Sequence, residues 1–152
     1  MQALTTGSGR IPPSPWELRD PHQVHPGVDL ACVGADLEPV TVLHAYAMGL
    51  FPMQVDTELG EQELGWWSPD PRGILRLEEI IVSRSLRRSM QKFTVTFDQD
   101  FVRVMRACWR AGGEGNWITD EFVQTYSDLH ERGFAHSVEV WNSEGELAGG
   151  LY

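Results

Sequence analysis

Two adjacent tryptophans, Trp66 and Trp67, stand in GWWSPDPR (65–72) beside a turn stiffened by two prolines and followed by an arginine. A third, Trp117, closes the glycine-rich AGGEGNW (111–117) and precedes a helix start. Downstream of the pair, Arg84, Arg87 and Arg88 recur at three- and four-residue spacing, which gathers them on one side of a helix. Indole planes with guanidinium groups nearby hold unpaired nucleic-acid bases, each stacked base contributing about 1–3 kcal/mol. Paired tryptophans at a turn also serve to plug a core or a domain interface, and an arginine-bearing helix face is often only solvated surface. Trp117, between loop and helix, is the best placed of the three to face a ligand.

Other chemistries lack their motifs. There is no GxSxG, no HExxH, no GxxxxGK[ST] and no cysteine paired locally with histidine. Gly112, Gly113 and Gly115 follow no strand of the dinucleotide-binding pattern. His130 and His136 lie six apart, which is not metal-ligand spacing, and read as a solvated helix residue and a hydrogen-bonded strand residue. Cys32 and Cys108 form no CxxC, so no structural zinc is predicted, and they read as reduced thiols. No metal or cofactor is expected.

The net charge of −10 argues against polyanion binding until it is divided. Residues 72–110 hold nine basic and four acidic groups, a local +5, and the remainder carries −15. A basic island in an acidic chain steers a polyanion locally while the rest repels unspecific contact. With 41% apolar residues the chain can build a core, and no apolar run reaches membrane-spanning length. MQALTTGSGRIPPSP shows no export-signal pattern, which together with the reduced thiols predicts a cytoplasmic protein.

The elements that must position these residues follow from pattern. Residues 1–15 read as a flexible lead. Pro39 opens a helix in which Val42, Leu43, Tyr46, Ala47 and Leu50 form an apolar stripe, with Gly49 near its end. QVDTELGEQELG (54–65) reads as a surface loop and ILRL (74–77) as a short strand. Ser83 caps a helix bearing the three arginines, and FTVTF (93–97) is a strand. Phe101, Val104, Met105 and Cys108 mark a second helix that ends before Gly112. Thr119 caps a third, with Phe122, Val123, Tyr126 and Leu129 inward and Gly133 at its end. FAHSVEVW (134–141), the turn NSEG and ELAGGLY (146–152) form a hairpin. The class is α+β. A hairpin left open at the last residue reads as a domain interrupted midway, hence as a fragment.

VGADLEPVTVLHAYAMGLFPM (33–53), GWWSPDPRGIL (65–75), SRSLRR (83–88), GNWIT (115–119) and LHERGFAHSVEVWN through GGLY (129–152) resemble the leucyl/phenylalanyl-tRNA–protein transferase family. The likeness runs from about residue 11 to the end, in order and with few gaps. It implies a small N-terminal α/β domain over 16–92 and the first part of an acetyltransferase-like (GNAT) domain over 93–152. It also implies transfer of Leu or Phe, and Met less readily, from Leu-tRNA or Phe-tRNA to proteins beginning with Arg or Lys, the N-degron route of protein degradation, by a monomeric enzyme.

By position, the resemblance makes Trp117 the indole that stacks on the terminal adenosine and Tyr126 a tyrosine lining that site. Leu151 falls in the amino-acid side-chain pocket, and Arg84, Arg87 and Arg88 meet the tRNA stem. Met53 stands where many members carry a second stacking tryptophan, and its thioether is a weaker partner for a base. The family's later strands, with the Asp and Gln proposed to assist the reaction, have no counterpart, so no catalytic residue is assigned. The alternative is a truncated, non-catalytic module that binds RNA or a protein.

Overall fold

The computed structural model describes Thr5–Thr6, Gly9–Arg10 and residues 13–109 and 117–152. The glycines at 112, 113 and 115 lie outside the described residues, as does most of the N-terminal lead. Within that lead, β1 (Thr5–Thr6) pairs antiparallel with β2 (Gly9–Arg10).

Strand β3 (Leu30–Val33) leads to α1 (Pro39–Ala47). Pro39, whose missing N–H is no loss there, occupies the first turn, and Thr41, Val42, Leu43 and Ala45 are buried. Of the expected stripe, Tyr46 and Ala47 are instead exposed at the edge of the helix. Gly49, with φ of 85°, reverses the chain into β4 (Phe51–Asp56). β4 pairs antiparallel with β5 (Gln62–Trp67), and β3 takes the other side, giving the order β3-β5-β4.

The segment 54–65 is therefore mostly hairpin, not loop. Only residues 57–61 turn, where Thr57 N donates to Glu61 O at 2.8 Å and Gly60 takes a φ of 78°. Backbone pairing to β4 and β3, not apolar alternation, holds these polar strands. Pro52 is tolerated because β4 is an edge strand.

Trp66 and Trp67 end the central strand rather than standing in the turn. Trp66 is wholly buried, opposite Pro52 and Cys32, and its indole N–H donates to Gly34 O at 2.9 Å. Trp67 faces the other way and donates to Met53 O at 3.0 Å. Its ring covers Gly65, where a Cβ would come within 2.7 Å of the indole nitrogen. Of the two readings, core plug holds for Trp66.

ILRL is not a strand. Ile74 and Leu75 are exposed, and Leu77–Glu79 forms a single 3₁₀ turn, since strand-forming residues without a partner ladder stay unpaired. Helix α2 (Arg84–Met90) is capped by Ser83 Oγ, which accepts from Leu86 N at 3.1 Å. No residue of α2 is buried.

The second sheet is built from β6 (Thr94–Phe97), β7 (Val138–Trp141) and β8 (Leu147–Leu151), antiparallel in the order β6-β7-β8. Between β6 and β7 run α3 (Phe101–Cys108) and α4 (Asp120–Glu131). Thr119 caps α4, accepting from Phe122 N, and its predicted apolar stripe is buried. Cys108, expected on the inward stripe of α3, is exposed at its end. β7 starts at Val138, because Phe134 N and Ala135 N both turn back onto Leu129 O to close α4.

One core joins both parts: Trp66, Val42, Leu50 and Ala45 on the first sheet's side are continuous with Met105, Phe122, Tyr126 and Leu129 on the second. The class is α+β. Replacing Trp66 by Ala leaves a cavity at the centre of this core and an orphaned Gly34 carbonyl. Urea unfolding is expected to show a loss of about 3–5 kcal/mol. Arg84→Ala, on a helix without buried residues, should change stability by less than about 0.5 kcal/mol.

Candidate functional site

Trp117 stands two residues before Thr119, the cap of α4, half-buried, and meets Phe122 edge-to-face at 5.4 Å. One helical turn on, Phe122 stacks with Tyr126 at 6.4 Å. The Tyr126 hydroxyl bonds that of Tyr46 from α1 at 2.8 Å, and the Tyr152 ring packs edge-on against Tyr126 at 5.7 Å. Burial pushes the phenols of Tyr126, Tyr46 and Tyr152 above their ordinary range, so all three are neutral hydrogen-bonding groups at physiological pH. Tyr152 Oη is buried with no hydrogen-bond partner among the described residues.

A cavity of about 570 Å³ is lined by Trp109, Ile118, Thr119 and Val123 with Gln54 and Gln62 from the first sheet; Trp117 precedes Ile118 in the chain but does not itself line it. Arg106 and Asp120, which also line it, pair at 3.2 Å. Apolar walls with two side-chain amides suit a planar group that carries polar edges.

Trp117 and Tyr126 are thus brought into one aromatic run. Met53 is on β4, paired with Gly65, on the face opposite Pro52 and Gln54, so strand alternation turns it from the cavity wall. Leu151 is 71% exposed on β8, while its neighbours Gly150 and Tyr152 face α3 and Phe101. Arg84, Arg87 and Arg88 make no ion pair with any described residue. In contrast Arg76 pairs with Glu78 and Glu79, Arg103 with Asp100 and Arg106 with Asp120. The unpaired part of the basic island is therefore concentrated at α2. Tyr46 is the residue that sequence reasoning missed: its partner lies 80 positions away, beyond any helical or strand spacing.

The family profile described as leucyl/phenylalanyl-tRNA protein transferase matches residues 74–152, and the profile of that family's N-terminal domain matches 35–70. The chain belongs to this family. A leucyl/phenylalanyl-tRNA–protein transferase of Pseudomonas fluorescens (strain Pf0-1) is 46% identical over 153 aligned positions, covering 98% of this chain and 63% of the relative. The protein of that name from Maridesulfovibrio salexigens is 44% identical, over 89% of this chain and 58% of its own. That from Alcanivorax borkumensis is 48% identical, over 81% and 51%. The chain spans about three fifths or less of the length of these relatives. No helix among the described residues is long and apolar enough to cross a membrane.

Within the family-matched region two carboxylates fix the start of β7 against β6. Asp98, at a left-handed φ of 56°, accepts from Ser137 N at 2.8 Å and holds His136 Nδ1 at 2.8 Å. His136 is thus a loop residue on an aspartate rather than a strand residue. His130 is not a solvated helix residue, because it stacks on Phe101 at 4.4 Å and its Nδ1 meets Ala135 O. Glu139, wholly buried, accepts from Thr96 Oγ1 at 2.6 Å, from Ser137 Oγ and from Asp100 N.

The hydrogen bond to His136, then that from Ser137, holds the Asp98 carboxyl below its usual range. For Glu139 burial acts upward, but the Ser137, Thr96 and backbone donors together outweigh it and the net direction is down. Folded values below unfolded ones mean that this stabilisation is full above the ordinary carboxylate range and is lost as pH falls through the folded values. Thermal melts should therefore lose stability below about pH 4. Glu139→Gln is expected to be less stable at pH 7 and to show a shallower acid decline; an unchanged slope would remove Glu139 from the account.

Proposed function

We propose that this protein is an aminoacyltransferase moving leucine or phenylalanine, and methionine less readily, from tRNA to acceptor proteins whose first residue is Arg or Lys. The reading extends to the N-degron route, a cytoplasmic location and a monomeric enzyme. The observation that carries it is the half-buried Trp117 at the head of an aromatic run, in a chain of this family.

The chemistry asks for alignment more than for activation. An aminoacyl ester is already a good acyl donor, and an α-amine with a pKa near 7.7–8.0 is partly a free nucleophile at neutral pH. Amide formation then needs the two substrates held in line and the tetrahedral oxyanion stabilised, without ATP or metal. In this reading Trp117 stacks on the terminal adenosine, backed by Tyr126, while Met53, on the far face of β4, takes no part in the stack. Leu151 contributes an apolar wall that selects by size and shape, and Arg84, Arg87 and Arg88 hold tRNA phosphates. No residue is assigned a catalytic proton transfer.

One observation favours binding without transfer as a second reading: Leu151 stands on an open face, and a side-chain pocket needs a further wall. A transfer assay with charged Leu-tRNA and an Arg-initiated acceptor separates the two.

Two measurements test the assigned roles. Replacing Trp117 by Ala should weaken binding of an amide-linked phenylalanyl-adenosine about tenfold or more, the equivalent of one lost stack. Unchanged affinity would remove the stacking role. Replacing Arg84, Arg87 and Arg88 together by Ala should flatten the log–log salt dependence of tRNA binding by roughly 2–3 units, and an unaltered slope would make α2 only a solvated helix.

A further inference from the structure

The cavity between the β4–β5 hairpin and the α3–α4 pair lies outside the aromatic run of Trp117, Phe122 and Tyr126, and its own lining is distinct in kind. Trp109 closes α3 through its backbone N–H on Arg106 O, and 49% of the residue is exposed. An indole that lines a cavity without being buried in the core offers its ring to whatever enters. Ile118 and Val123 add an apolar wall. Gln54 pairs with Leu64 and Gln62 with Asp56, so the two glutamines are diagonal neighbours on one face of the hairpin. Gln62 Nε2 donates to Asp56 Oδ1 at 3.3 Å, which orients that amide and leaves its oxygen as an acceptor. Arg106 pairs with Asp120 at 3.2 Å, an exposed and therefore weak ion pair that occupies only part of the guanidinium's N–H fork.

A ring plane, an apolar wall, side-chain amides and a guanidinium are the groups that hold an unpaired nucleotide, by stacking, at the base edge and at the phosphate. The volume of about 570 Å³ falls within the range of about 300–1,000 Å³ usual for sites that take small molecules. Position narrows the choice. Ile118 follows Trp117 directly, so the cavity opens one residue from the indole assigned to the terminal adenosine. We infer that the cavity is a second nucleotide subsite, which takes the base of the penultimate nucleotide of the tRNA, stacked on Trp109 and bonded at its edge by Gln54 and Gln62. The inference rests on the reading of Trp117 given above and extends it from one nucleotide to two. An amide carries both a donor and an acceptor and turns to suit either order, so the subsite holds a base without choosing which.

The probes are amide-linked phenylalanyl-adenosine, the same compound extended at its 5′ end by a cytidine 3′-phosphate unit, and a third in which that unit is abasic. Calorimetric titration should show the cytidine compound binding about tenfold or more tighter than the mononucleotide, with most of that gain absent from the abasic compound. Trp109→Ala should shrink the ratio of the two affinities to within about twofold, and Trp109→Phe should keep part of it. Trp117→Ala should weaken both compounds together. Equal affinities in the unmodified chain, a gain that the abasic compound shares in full, or a gain that Trp109→Ala leaves intact would overturn the inference while adenosine binding at Trp117 stands. Failure of phenylalanyl-adenosine itself to bind would overturn the reading of Trp117, and the inference with it.

Discussion

A single buried indole organises the molecule. Trp66 sits at the end of the central strand β5 with its one polar atom satisfied by Gly34 O, so it can be wholly withdrawn from water at no hydrogen-bonding cost. Around it gather the faces of β3 and β4 and the inward side of α1, and the same core continues into α3 and α4. The consequence reaches the candidate site. α1, seated on this core, delivers the Tyr46 hydroxyl to Tyr126, and α4, seated on its other end, carries the Trp117–Phe122–Tyr126 run.

The elements legible in sequence were those whose signals are local. α1 announced itself by Pro39 and its buried stripe, and α4 by the Thr119 cap and Phe122, Val123, Tyr126 and Leu129. The β7–β8 hairpin was marked by Asn142 and Gly145, whose turn closes through Asn142 Oδ1 and a φ of 77°. What failed depended on strand pairing that residue type does not advertise. The polar hairpin of β4 and β5 has no apolar alternation to advertise it, and β3 becomes a strand only because β5 passes beside it. ILRL failed in the opposite sense, having strand-forming residues and no partner. For the site, residue type pointed to Trp117 and Tyr126 but not to Tyr46, whose place is set by packing between α1 and α4.

The charge distribution sharpens in the same way. A local excess over 72–110 reads in sequence as one basic island, yet in the structure Arg76, Arg103 and Arg106 are spent on neighbouring carboxylates. The arginines of α2 are left without such partners, on a helix that buries nothing. A charge held out in this manner contributes little to folding and is free for a polyanion.

The central claim is that Trp117, and not the more conspicuous Trp66–Trp67 pair, receives the aminoacylated adenosine. Its most direct test is to follow the indole N–H signals of the six tryptophans by NMR while titrating an amide-linked phenylalanyl-adenosine. The account predicts a saturable shift of the Trp117 signal with the buried Trp66 signal unmoved. A saturable shift at Trp67 or Trp66 with Trp117 silent, or no shift at any indole, would contradict it.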